Sequence, residues 1–360
     1  MLFKILFSIL LSIPVALYAQ HDFDSLYEAS SGFRDFFNTT YKNHTFFESN
    51  EIVRIAIISD FKTLNRRRDN EKYQDAVLEY IFNDSIIVRR RIGIKARGNF
   101  RREHCSYPPV KLNFPKKSVR LEWLQTFDKF KMVGSCKNGT AYQQYLLQEY
   151  YVYRIFNILT DYSFRVRLLH IDYKDISKKS NRTRQVRYAF IIEPIDAVAE
   201  RLNCTVMNDP ISSYALNEDN INMIAVFQYM IGNTDWSVPG LHNMRVLKST
   251  NPDLFTPFAI PYDFDFCGIV NPPYAIPPEV LPIKTVRERL FRGPCRDFEV
   301  YRKTFDWFNS QKNKIYDLIN NSELLTNGTK KQMMAYLDSF YRMMDRPKAL
   351  EREFSISCIK

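Results

Sequence analysis

Residues 233–265 read NTDWSVPGLHNMRVLKSTNPDLFTPFAIPYDFD. An apolar run with helical spacing, 219–231, leads into this stretch and stops at Gly232. Glycine commonly ends a helix because it accepts the left-handed backbone conformation. Asn233, Asp235 and Trp236 follow at once. His242-Asn243 then opens a strand-like step at 244–247, and a loop with Pro252 and Pro257 leads to a second step at 258–262. If the two steps pair, Asp235, Asn243 and Asp263 converge at one rim. Carboxylate and amide oxygens are hard ligands suited to Mg2+ or Mn2+. Such a set can hold the metal of a triphosphate while a further Asp orients an attacking hydroxyl, the positioning and charge neutralisation that phosphoryl transfer needs. Each residue alone is an ordinary turn former. As a group they carry more weight, because Asp263 and Asp265 flank Phe264 in an aromatic stretch. Burying two carboxylates there is costly without a metal or an arginine as partner.

Working outward, the chain before this stretch is rich in strands. Segments 52–59, 76–82, 86–96 and 110–114 alternate and carry β-branched residues, with Asn83-Asp84 as a turn. They read as a run of antiparallel strands. Residues 142–160 switch to an apolar period near 3.6 and predict a helix, and 165–173 and 186–192 return to strand. Glu193-Pro194-Ile195-Asp196 breaks that pattern. Helices are then expected at 197–202, 219–231, 298–319 and 330–344. The arrangement is α+β: a strand-rich N-lobe over 51–192 with one inserted helix, and a helix-rich C-lobe over 193–360 carrying the candidate site.

Segment 1–19 has one basic residue, Lys4, an apolar run broken by Ser8, Ser12 and Pro14, and a small residue, Ala19, at its end. That is the pattern of a cleaved secretory signal, with an uncleaved anchor as the alternative. Residues 20–50 read as an irregular lead-in. No later run approaches the ~18 apolar residues of a membrane span, so a secreted or periplasmic chain without a stable span is expected. Six cysteines in an oxidising compartment permit three disulfides, in pairings that spacing leaves open. No Cys/His cluster points to zinc. The net charge of +11 suits an anionic partner, and export argues against chromosomal nucleic acid. The runs Arg66-Arg67-Arg68 and Arg89-Arg90-Arg91 read as solvated faces.

Three motifs in order carry a family resemblance. Asn233-x-Asp235, His242-Asn243 and Pro261-Tyr262-Asp263-Phe264-Asp265 form the first. Lys95-Ala96-Arg97-Gly98-Asn99 with Pro109-Val110-Lys111-Leu112-Asn113-Phe114 forms the second, and Phe190-Ile191-Ile192-Glu193-Pro194-Ile195-Asp196 the third. Together they resemble the CotH family of secreted and spore-coat kinases. The resemblance implies a two-lobed, protein-kinase-like fold. It also implies Mg2+- or Mn2+-dependent transfer of phosphoryl from ATP to a hydroxyl, on Ser or Thr of a protein substrate. By it, Asp235 orients the acceptor and Asn243 and Asp263 bind metal, with Asp265 a second ligand or a structural partner. Lys111 contacts the nucleotide phosphates and pairs with Glu149, Arg97 reaches phosphate, and Glu193 lies near the adenine. The chain lacks a G-x-G-x-x-G loop and a His-Arg-Asp motif, and Trp236 follows Asp235. Two further readings stand beside the kinase: a catalytically inactive kinase-like protein that binds a surface polymer or glycan, and a hydrolase using Asp235 with His242. No G-x-S-x-G accompanies the latter.

Overall fold

The computed structural model describes residues 21–22, 45–69, 71–83, 86–98, 100–106, 108–115, 127–177 and 185–360. The export segment 1–19, most of the lead-in and Asn99 of the Arg-Gly-Asn motif lie outside the described residues.

The first strands in chain order are β1 (His21–Asp22), β2 (Val53–Ser59), β3 (Gln74–Asn83), β4 (Ile86–Ala96), β5 (Val110–Asn113) and β6 (Lys129–Gly134). Next come β7 (Val166–Asp175), β8 (Gln185–Ile192), β9 (Cys204–Met207), β10 (Met244–Ser249) and β11 (Phe258–Pro261). The helices are α1 (Thr45–Glu48), α2 (Phe61–Arg66), α3 (Phe100–His104), α4 (Thr140–Leu159), α5 (Ile195–Arg201), α6 (Glu218–Ile231), α7 (Phe298–Asn320), α8 (Asn327–Met344) and α9 (Pro347–Ser357).

Seven strands run in the order β4-β3-β2-β7-β8-β6-β5, and β5 pairs back onto β4. The sheet is therefore a closed, mixed barrel. All its pairings are antiparallel except β2 with β7, which is parallel. The two-lobed, protein-kinase-like fold expected from the sequence, with a strand-rich N-lobe and a helix-rich C-lobe, is overturned by this closure. An open N-lobe sheet would leave β4 and β5 as edges with unpaired backbone groups. Pairing Gly93–Ala96 with Val110–Asn113 removes both edges. The back half is also less helical than expected, because β9, β10 and β11 form a second sheet and 262–297 contains no helix or strand.

Alternation along the strands sets two cores. Ile55, Ile57, Ile94, Leu112, Met132 and Ile171 point into the barrel. Val133, Leu168 and Phe190 point outward, where they share a second core with α4 and the later helices. Helix α4 is buried along most of its length, from Leu146 to Tyr153 without a break, so any polar residue on that stretch lies in the interior. Helix α6 starts at Asn217, whose side chain accepts from Asn220 N, and ends at Gly232 with φ of 68°. A Cβ at Gly232 would lie 2.0 Å from Tyr336 Oη, so both conformation and space demand glycine there.

Two disulfides form, Cys105–Cys136 and Cys295–Cys358, while Cys204 and Cys267 are buried thiols. Among the described residues no helix is long and apolar enough to cross a membrane. Both features are compatible with an extracellular protein.

On β3, buried Glu79 meets Arg89 and Lys174. Burial pushes its carboxyl up, but the two cations outweigh that and hold it below the ordinary 4.5. The stability this pair contributes is complete above pH 4.5 and is lost as pH falls through the depressed folded value. Glu79→Gln is expected to cost about 1–3 kcal/mol at neutral pH. The gap from wild type should shrink in acid melting series; a gap that stays constant down to acid pH would refute the linkage.

Candidate metal and phosphate site

The site is built where α4, the turn after β11 and α3 meet. Phe264 anchors the turn. It is fully buried, with its ring 4.7 Å from Tyr153 and 5.5 Å from Phe227. Pinning Phe264 inward presents Asp263 and Asp265 on either side of it. Asp263 has φ of 66°, a conformation that Asp tolerates better than most residues. Its backbone N–H donates to Tyr153 Oη at 2.8 Å, which fixes the turn on α4. Glu149, one helical turn before Tyr153, is 0% exposed. Oxygen atoms of Glu149, Asp263 and Asp265 all lie within 4.8 Å of one another.

Arg101 on α3 joins this triad. Its Nε donates to Asp265 Oδ2 at 2.7 Å and its Nη2 to Glu149 Oε2 at 2.6 Å. The adjoining disulfide, Cys105–Cys136, ties the end of α3 to the segment before α4. One guanidinium faces three carboxyl groups. Burial pushes Asp265 well up, and Asp263 and Glu149 add to the rise against the pull of Arg101. Burial likewise raises Glu149. Burial pushes Arg101 down, but Asp265 and Glu149 outweigh it and hold the guanidinium firmly charged.

The triad can hold a metal ion. Glu149 Oε1 is buried and has no hydrogen-bond partner among the described residues, so one oxygen of the cluster is left for a ligand. Three carboxylates form a hard, all-oxygen donor set, which fits a divalent cation of the Mg2+ or Mn2+ kind and not a soft metal.

A basic row on the barrel wall reaches the triad at one end, where Lys131 feels Asp263 and Arg97 acts on Glu149. Lys95 on β4 is directly opposite Lys111 on β5, and Lys111 is opposite Lys131 on β6. Directly opposed residues share a face, so three lysines line one outer face of the barrel wall. Like charges in that position are destabilising. Lys95 is relieved by Glu71. Burial pushes Lys131 down to about 7, and Arg97 and Arg245 add to this while Asp263 opposes it. Lys111 is lowered as well, by burial and then by Lys95, Lys129 and Arg97. Arg97 follows β4, its N–H donating to Pro109 O at 2.8 Å. An anion on this track would relieve a repulsion built into the fold.

Next to the triad lies the Asp235 group. Strands β10 and β11 pair antiparallel with Met244 opposite Pro261, as the sequence predicts. Tyr262 N–H then donates to Asn243 O at 3.0 Å, which places Asn243 beside the Asp263 turn. Asn243 Nδ2 donates to Asp235 Oδ2 at 3.0 Å and to Asp235 O at 2.8 Å. His242 Nε2 lies 2.7 Å from Asp235 Oδ1. Asp235, Asn243 and Asp263 thus meet at one rim.

No protein-family model matches this chain, and no curated protein matches its sequence.

Several expected roles change. Asn243, with φ of 52°, turns its amide onto Asp235, and Glu149 supplies the third carboxylate of the cluster. Asp265 is both a member of the triad and the partner of Arg101. The cation that meets Glu149 is Arg101, where Lys111 was expected. Lys111 extends from the barrel wall in register with two other lysines, whereas Arg101 reaches in from its own helix. Glu193 is committed elsewhere: Arg201 takes both its oxygens, at 3.1 and 3.0 Å, and Arg165 N–H donates to one of them. Its carboxylate closes the end of β8.

Arg101 and Lys131 escaped the sequence reading. Arg101 stands two residues after the Arg-Gly-Asn motif, in a helix too short to show a period. Lys131 lies in KFKMVG, whose alternation was a usable strand signal.

Proposed function

We propose that this chain is an exported, divalent-metal-dependent phosphotransferase that moves the terminal phosphoryl group of ATP to a hydroxyl, with Ser or Thr of a protein as the expected acceptor. One observation carries the reading: an acidic triad, whose Glu149 Oε1 has no hydrogen-bond partner among the described residues, lies within the electrostatic reach of Lys131, the last of three lysines in register on the barrel wall. Either feature alone has a structural explanation. Side by side they match the two charges of a metal–triphosphate.

Glu149, Asp263 and Asp265 would hold the metal, which neutralises charge on phosphate oxygens when bound. Lys111 and Lys131 bind the phosphate chain along the barrel wall, with Arg97 at its side. Lys131 sits over the Tyr262 ring at 4.7 Å, so its ammonium is positioned before phosphate arrives. Arg101 keeps Asp265 and Glu149 in place between turnovers. The Asp235, His242 and Asn243 group forms the acceptor side. The CotH-like motifs support this chemistry by residue type, independently of the fold they implied.

The test is label transfer from γ-labelled ATP with Mn2+, wild type beside Asp263→Asn. Label is expected from wild type, with a loss of about 10²–10³-fold in the variant, the scale for removing a group that stabilises transferring charge. Equal label in both, or none in either, would sink the proposal. A chain that Mn2+ and ATP together fail to stabilise against heat, yet that binds an anionic surface polymer, points to the inactive binding protein.

A further inference from the structure

Phosphoryl transfer to a hydroxyl needs a group to take the hydroxyl proton, and a lone Asp is the simplest choice. In this structure both carboxylate oxygens of Asp235 are already engaged. Oδ1 is held by His242 Nε2 at 2.7 Å and Oδ2 by Asn243 Nδ2 at 3.0 Å. Its backbone is fixed too, since its N–H donates to Asn233 Oδ1 at 3.0 Å and its O accepts from Asn243. The carboxylate is a mounted part.

What it mounts is His242. A ring nitrogen facing a carboxylate carries the hydrogen, so Nε2–H donates to Asp235 and Nδ1 presents a lone pair. Nδ1 makes no hydrogen bond with any described residue. The His242 side chain is 53% exposed against 33% for Asp235, so its free nitrogen is the more accessible of the two groups. The backbone is pinned for this presentation. Ser237 and His242 exchange both backbone hydrogen bonds at 3.0 Å, and the flanking residues Leu241 and Asn243 are both left-handed, with φ of 47° and 52°. Asparagine tolerates this conformation, but for Leu241 it is a strained one, held beside the histidine by the Ser237–His242 bridge. The position also fits. Beyond the Tyr262–Asn243 hydrogen bond, the next residues along the two strands are Asp263 and His242.

We propose that His242 is the group that accepts the proton of the acceptor hydroxyl, and that Asp235 orients it and stabilises the resulting imidazolium. This rests on the phosphotransferase reading above. As the acceptor oxygen bonds to the γ-phosphorus, its proton passes to His242 Nδ1. The bond from the γ-phosphorus to its bridging oxygen breaks, and ADP leaves with that electron pair. The imidazolium then returns its proton to solvent.

The experiment compares wild type, His242→Ala, His242→Gln and Asp235→Asn by transfer of label from γ-labelled ATP with Mn2+ to Ser/Thr-containing peptides. Binding of Mn2+ and of a non-hydrolysable ATP analogue is followed alongside. His242→Ala is expected to lose about 10²-fold or more in turnover, the usual worth of general-base catalysis, with binding unchanged. Imidazole in the medium is expected to restore part of it. Asp235→Asn is expected to fall at least as far, because an amide donating to Nε2 forces the proton onto Nδ1. His242→Gln keeps a donor for Asp235 but cannot take a proton. Wild-type turnover in His242→Gln or His242→Ala overturns the assignment while leaving the phosphotransferase reading intact. A wild-type chain that binds metal and nucleotide but transfers no label overturns both.

Discussion

Replacing Arg101 with alanine is expected to lower the melting temperature of the metal-free chain by about 6–10 °C, as follows from ~3–5 kcal/mol for breaking a buried charge pair and ~2 °C per kcal/mol in a chain of this size. The cost comes from what remains. Arg101 reaches Glu149 at 2.6 Å and Asp265 at 2.7 Å, and both acids are buried. Without the guanidinium, the cluster must take up protons or find another cation. A divalent ion is such a cation, so Mn2+ is expected to raise the melting temperature of Arg101→Ala more than that of wild type. At a hundredfold excess over its Kd, a ligand returns about 2.7 kcal/mol. Arg101→Lys should fall between the two, because an ammonium cannot make the forked contact to two carboxylates. Thermal denaturation with and without Mn2+ reads all of this. A melting temperature unmoved by Arg101→Ala would mean that protons alone settle the cluster.

The second large effect has two opposite signs in one variant. Asp263→Asn is expected to lose nearly all label transfer while stabilising the metal-free chain by about 0.5–2 kcal/mol, the range usual for charge-optimising substitutions. Asp263 adds to the repulsion that raises both Asp265 and Glu149, against the single positive charge of Arg101. Removing its charge leaves Arg101 facing two carboxyl groups where it faced three. Asparagine also accepts the φ of 66° at this turn, and the backbone N–H bonded to Tyr153 Oη is untouched. In wild type Mn2+ should stabilise; in Asp263→Asn that response should be lost. A variant that is both inactive and less stable would show that Asp263 holds the turn together, and the metal role would then have no support from its chemistry.

Parts of the site were legible in the sequence because they are local. Gly232 ends α6 as expected, and the strands β10 and β11 pair as the alternation around 244–247 and 258–262 predicts. That pairing alone brings Asp235, Asn243 and Asp263 to one rim. Lys111 on a strand and Glu149 on a helix could be named through the family resemblance. Their partners could not. Arg101 and Asp265 are 164 residues apart, and no periodicity links them. Nor could the partner of Glu193 be named, since Arg201 bonds both its oxygens from the next helix.

By itself the sequence determined the longer strands and helices, since a period of 2 or 3.6 is written into neighbouring residues, while short elements such as β9, α2 and α3 carry too few residues to show one. It determined the polar rim after α6 for the same reason. Only the tertiary structure decided that the strands close into a barrel, because closure depends on β5 meeting β4 and on β2 lying parallel to β7. Closure is also what sets Lys95, Lys111 and Lys131 side by side, and the packing of α3 against α4 and the β11 turn is what puts one arginine among three carboxyl groups. Residues 233–265 therefore supplied two of the three acids, Asp263 and Asp265, while the third acid, the countercharge and the phosphate track came from elements distant in the chain.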